Sequence, residues 1–132
     1  LIEYPPEPLS GETRIEWERR ALNPWRMEMK RKLFARRGPT CERCGERRAI
    51  DLDEGIVPRC DMRGLSVKQR RIAFGSCNLF LLCEKCNRES AHDREAAFRR
   101  ACGRFGEREV RAWYAGIGLK APDWRFTIGE GD

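Results

Sequence analysis

The run NPWRMEMKRKLFARRG (residues 23–38) spaces Trp25, Met29 and Leu33, with Phe34 beside them, at helical intervals. That pattern predicts a helix with a narrow apolar stripe, capped by Asn23, with Pro24 in its first turn and Gly38-Pro39 as its stop. The period then changes. In AIDLDEGIV (49–57), Ile50 and Leu52 alternate with Asp51 and Asp53, which predicts a strand with a polar and an apolar face. RGLSVKQRRIAFGS (63–76) reads as a basic loop, and CNLFLLC (77–83) as a second, wholly apolar strand. From Cys83 the chain reads as helical, with Gly103 as the stop. EREVRAWYAGIG (107–118) predicts one more short helix, and Trp124 and Phe126 are expected to fold back onto the core. Residues 1–12, with Pro5, Pro6 and Pro8, read as an extended arm.

These elements predict an α+β fold in three parts. An acidic, proline-rich arm covers residues 1–22, a central domain 23–103, and a helical extension 104–132 packs on that domain. A chain of 132 residues suffices for one domain with a modest core, small enough to benefit from a staple. With 36% charged residues and no apolar run near the ~20 residues of a membrane span, no membrane partner is expected. The start, LIEYPPEPLSGE, carries no signal-peptide pattern.

Charge changes the picture. The net charge is +6, with −3 on residues 1–12 and −2 on residues 123–132, so residues 13–122 carry +11. A basic centre between acidic ends points to a polyanionic partner, nucleic acid ahead of a membrane surface; a solvated charge-rich surface is the alternative. Arg59, Arg63, Lys68, Arg70 and Arg71 cluster between the two strands as candidate phosphate contacts, giving affinity rather than sequence readout.

Seven cysteines make an odd count for a fully disulfide-bonded framework. Four form two C-x-x-C pairs, Cys41/Cys44 and Cys83/Cys86, separated by 38 residues. Soft thiolates in that spacing predict a structural Zn²⁺ with four sulfur ligands and no open position for water. A redox dithiol or unliganded core cysteines are the alternatives. The expected setting is a reducing compartment, the cytoplasm. Cys60, Cys77 and Cys102 are expected to be buried as small apolar residues.

The segments CERCG, LDEGIVPR and CNLFLLCEKCN, in that order and preceded by a helix ending in ARRGPTCERCG, resemble the zinc-stapled HNH endonucleases of the ββα-metal, or His-Me finger, family. The resemblance covers roughly residues 24–95. It implies hydrolysis of DNA phosphodiesters, double-stranded DNA being the expected partner, with Mg²⁺ or Mn²⁺ at the active centre. By position, Asp53 and Glu54 stand where the family has a histidine-containing pair: Asp53 as metal ligand, Glu54 as base or second ligand. Asn78 matches the central Asn that shapes the metal loop, and Asn87 matches the helix-borne ligand. The family's strand histidine is replaced by acids here, so a module that binds nucleic acid without cutting, within a larger assembly, is the alternative. The only histidine, His92, sits ~140° around the helix from Asn87 and is expected at the surface.

Overall fold

The computed structural model describes residues 1–89, 93–120 and 122–124. Thr13 opens the first helix through a reciprocal cap: its hydroxyl accepts from the Glu16 N–H while the Glu16 carboxylate accepts from the Thr13 N–H. Helix α1 (Arg14–Trp17) continues through a π turn (Glu18–Leu22) into α2 (Asn23–Arg37). The predicted start at Asn23 is therefore corrected. Asn23 is helical, and its N–H reaches back five residues to the Glu18 carbonyl. Pro24 has no N–H to offer the preceding turn and its ring crowds it, so the helix widens there instead of beginning there. Residues 14–22, read above with the arm, are helical, and Trp17, Ala21 and Leu22 lie in the main core.

Helix α2 ends at Gly38, whose φ of 90° suits glycine. Its stripe is the one the spacing predicts: Met29 and Leu33 are buried, with Trp25 and Phe34 packed beside them. They meet Leu79 and Leu81 of a two-stranded antiparallel sheet, β1 (Asp51–Glu54) and β2 (Leu79–Leu82). The register pairs Asp51 with Leu82, Leu52 with Leu81, Asp53 with Phe80 and Glu54 with Leu79. Residues directly opposite share a face and alternate residues change face. Leu52, Glu54, Leu79 and Leu81 thus face α2, while Asp51, Asp53, Phe80 and Leu82 face the other way.

A 3₁₀ turn (Arg59–Met62) precedes the stretch predicted as a basic loop, which itself contains helix α3 (Val67–Ala73), started by a Ser66–Gln69 capping box. The long helix predicted from Cys83 is two, α4 (Glu84–Glu89) and α5 (Arg94–Phe105). Gly103 lies inside α5; the stop is Gly106, at φ 92°. Helix α6 (Glu107–Gly116) forms as predicted and contributes Val110, Trp113 and Tyr114 to the core. Trp124 folds back onto Phe98, ring centroids 5.4 Å apart; Phe126 lies outside the described residues. The proline-rich arm is tied down, Glu3 and Ser76 exchanging two hydrogen bonds and the Trp17 indole donating to the Pro6 carbonyl. No helix among the described residues is long and apolar enough to cross a membrane.

One buried ion cluster joins these parts. Glu42, between the first pair of cysteines, accepts the Leu81 N–H at 2.5 Å and pairs with Arg37 of α2 at 3.2 Å and with Arg104 of α5. Burial pushes the Arg37 guanidinium below its ordinary pKa, against the pull of Glu42. Glu42→Ala leaves two arginines, one of them 10% exposed, without their anion. Such losses cost about 3–5 kcal/mol, which a lower urea midpoint with unchanged slope will report.

Candidate metal centre and strand-face site

The first cysteine pair sits in the turn after α2, where Gly45 at φ 69° lets the chain reverse, and the Gly45 N–H closes on the Cys41 carbonyl. The second pair brackets the end of β2 and the first turn of α4. All four Sγ atoms lie within 4.8 Å of one another, and all but Cys44 are buried. Zinc–sulfur bonds of about 2.3 Å require sulfurs roughly 3.8 Å apart in a tetrahedron, so the donor set fits a structural metal such as zinc with little adjustment.

The surroundings favour thiolates. Backbone N–H groups of Arg47 and Glu46 hold the Cys44 thiol down at about 6, and the Cys86 N–H, 3.4 Å from Cys83 Sγ, lowers Cys83. Burial has the opposite effect on Cys86, pushed up to about 12 in the absence of an ion. Four thiolates around Zn²⁺ carry a net charge of −2, and the Arg47 guanidinium stands 4.0 Å from Cys44 Sγ. Arg43 bridges this turn to Glu89 at 3.0 Å and to Asp93 at the head of α5.

Asn78 is fully buried and ties the loop after β1 to the end of α3. Its Oδ1 accepts from Ile56 and Val57 N–H at 2.7 and 3.0 Å, and its Nδ2 donates to the Val57 and Ala73 carbonyls at 2.9 and 3.0 Å. All four positions of the amide are used. This fixes the backbone just after β1. Gly55 is required there for a second reason: a Cβ would stand 2.7 Å from the Phe80 ring and 3.1 Å from Ala97.

Asp53 and Glu54 are separated by the pleat. Asp53 lines a small cavity of about 80 Å³ between the sheet and α5, with Gly55, Phe80, Arg43, Asp93 and Arg100. Glu54 faces α2, is 7% exposed, and lies 2.9 Å from Arg26 and 3.5 Å from Arg59. The structure therefore does not bring Glu54 to the face that holds Asp53. Burial lowers the Arg26 pKa while Glu54 raises it, as expected of a cation held inside by its partner.

Asn87, on α4, donates its Nδ2 to Asp51 Oδ2 at 3.2 Å. Asp51 is not among the site residues expected from the sequence, although the strand alternation puts it on the same face as Asp53. The basic candidates divide. Arg71 is occupied within the molecule, donating to the Pro5 carbonyl at 2.7 Å and lying 5.5 Å over the Tyr4 ring. Arg63 and Lys68 are exposed, Arg59 lies over Phe74, and Arg70 is buried. Cys77 and Cys102 are buried as expected, but Cys60 is exposed beside Asp61 because it sits on the outer side of the 3₁₀ turn. His92 lies outside the described residues.

No protein-family model, curated protein or solved structure matches this chain.

Proposed function

We propose that this chain is a zinc-stapled, HNH-like domain that hydrolyses DNA phosphodiesters with a divalent cation. The observation that carries this reading is the meeting of Asn87 with the outward carboxylate row of β1. A helix-borne amide lies 3.2 Å from Asp51, and Asp53 is two residues along on the same face. Both elements are positioned by the cysteine cluster, through Cys83 at the end of β2 and Cys86 in α4. Hard carboxylate and amide oxygens are the donors that Mg²⁺ and Mn²⁺ favour. Asp53 and Asn87 would hold the ion, with Asp51 fixing the amide.

Such an ion supplies charge neutralisation on the scissile phosphate and acidifies a bound water. The protein groups provide position: Asn78 sets the loop after the strand, and Glu54, neutralised by Arg26, pins that strand end to α2. Glu54 is therefore an anchor in this reading, and water activation does not depend on it.

The same Glu54 ion pair favours a second reading, a nucleic-acid-binding module without cleavage, since the carboxylate at the family's base position is engaged elsewhere. Nicking of supercoiled plasmid with Mg²⁺ or Mn²⁺ decides between them. Cleavage is expected, and Asp53→Ala should lower it more than about 100-fold, the equivalent of several kcal/mol of lost charge stabilisation. Salt-sensitive DNA retention without nicking would select the module. Neither retention nor nicking would remove both readings.

A further inference from the structure

A second cleft, of about 470 Å³, opens between α1, the 3₁₀ turn and α3, lined by Arg14, Glu18, Arg59, Arg63, Arg70 and Phe74. Four guanidinium groups and one carboxylate face one another in it. Glu18 is engaged by Arg14 at 3.3 Å, and Arg59 is supported by the Phe74 ring 5.6 Å away. Arg63 and Arg70 form no side-chain hydrogen bond or ion pair with any described residue.

Arg70 is the informative member. Only 7% of it is exposed, yet it lines the cleft and has another cation, Arg14, as a neighbour. Burial and Arg14 lower its pKa, and only Glu18 opposes them. Arg14 and Arg70 share the single carboxylate of Glu18, and an external anion in the cleft would balance the positive charge left over. The number of donors argues for the kind of anion. A carboxylate satisfies one guanidinium fork, whereas a phosphate offers several oxygens in different directions and suits a ring of arginines. Phe74 is 1% exposed, so it supports Arg59 and presents no open face to a base. Recognition here is of phosphate, without sequence readout.

We infer that this cleft is a phosphate-binding site, with Arg63 and Arg70 as the principal contacts and Arg14 and Arg59 at its rim, taking a phosphate of a nucleic-acid backbone or of a free nucleotide. It deepens the nucleic-acid reading but contains neither Asp53 nor Asn87, so it stands apart from cleavage.

Fluorescence anisotropy of the full chain with a labelled single strand and a labelled duplex, with pyrophosphate as competitor, tests it. Arg63→Gln and Arg70→Gln should each weaken oligonucleotide binding at least about 5-fold and reduce the slope of log K against log salt by about 1. Arg108→Gln, on the exposed side of α6, serves as control and should change binding less than about 2-fold. Equal losses in all three variants would mean diffuse surface charge and overturn the site. So would a wild-type chain that binds neither oligonucleotide nor pyrophosphate at about 150 mM salt. Pyrophosphate binding that depends on Arg63, without oligonucleotide affinity, assigns the site to a free nucleotide. Arg63 is exposed, so its variant carries the test even if Arg70→Gln does not fold. Binding that depends on both arginines without plasmid nicking leaves this site standing and removes the nuclease reading. Nicking with binding indifferent to both arginines does the reverse.

Discussion

Stripping the ion from the Cys41–Cys44–Cys83–Cys86 cluster with a strong chelator is expected to unfold the domain. Structural zinc in thiolate sites contributes an apparent 10–16 kcal/mol at neutral pH, while a domain of this size has a total stability of about 5–15 kcal/mol. The metal contribution therefore matches or exceeds everything else that holds the fold together. The geometry explains why the loss cannot be local. The cluster joins the turn after α2 to the β2–α4 junction, and the intervening segment contributes β1, the 3₁₀ turn, α3 and β2. Without the ion, burial keeps Cys86 protonated while backbone N–H groups favour the Cys44 thiolate, and the thiols no longer share one partner. Elemental analysis should find one zinc per chain, and circular dichroism after chelation should show no cooperative melting. Cys83→Ala should behave the same way. A chelated protein that melts at its original temperature would contradict the staple.

Asn78→Ala is the second large effect, expected to cost about 3–5 kcal/mol. The substitution leaves the Ile56 and Val57 N–H groups and the Val57 and Ala73 carbonyls unpaired in a region closed to water, Ile56 and Val57 being 1% and 2% exposed. Asn78→Asp separates the two halves of the network. It keeps an acceptor for the N–H pair but sets its second oxygen against two carbonyls. Burial and those carbonyls raise the new carboxyl above the ordinary value of about 3.9, so its protonated form can still donate one hydrogen bond. A folded-state pKa above the unfolded one gives stability that is present at low pH and lost as pH rises through the raised value. Urea denaturation of this variant should therefore give a higher midpoint at pH 5 than at pH 8. A flat profile would mean that the carboxyl reaches solvent.

The cysteine cluster was legible in the sequence because it depends on residue type at fixed spacing, which the backbone then has little freedom to alter. The two strands were legible for a similar reason: alternation in 49–57 and continuous apolarity in 79–82 have few other uses. What escaped was decided by competition between neighbours. Gly103 and Gly106 are three residues apart, and only the packing of α5 against α6 makes Gly106 the one at positive φ. Asn23-Pro24 marks a real discontinuity, but a π turn absorbs it because Trp17, Ala21 and Leu22 have a core to fill. Asp53 and Glu54 read as a pair in the chain, yet the pleat sends one toward α5 and the other to Arg26. Their neighbour Asp51 proved the residue in contact with Asn87. Arg70 could not be told from Arg71 by sequence, since one faces a cleft and the other the arm.

The Arg104–Glu42 contact also bears on how the molecule can be dissected. Arg104 lies near the end of α5, beyond both cysteine pairs, and its partner Glu42 sits inside the first cysteine turn. Cutting the chain at residue 103 removes Arg104 and, with α6 and the residue that follows it, the Val110, Trp113 and Ile117 side chains from the shared interior. The region of recognisable motif is thus smaller than the unit that folds, and an excised fragment has to run through α6 to keep the metal turn anchored on both sides.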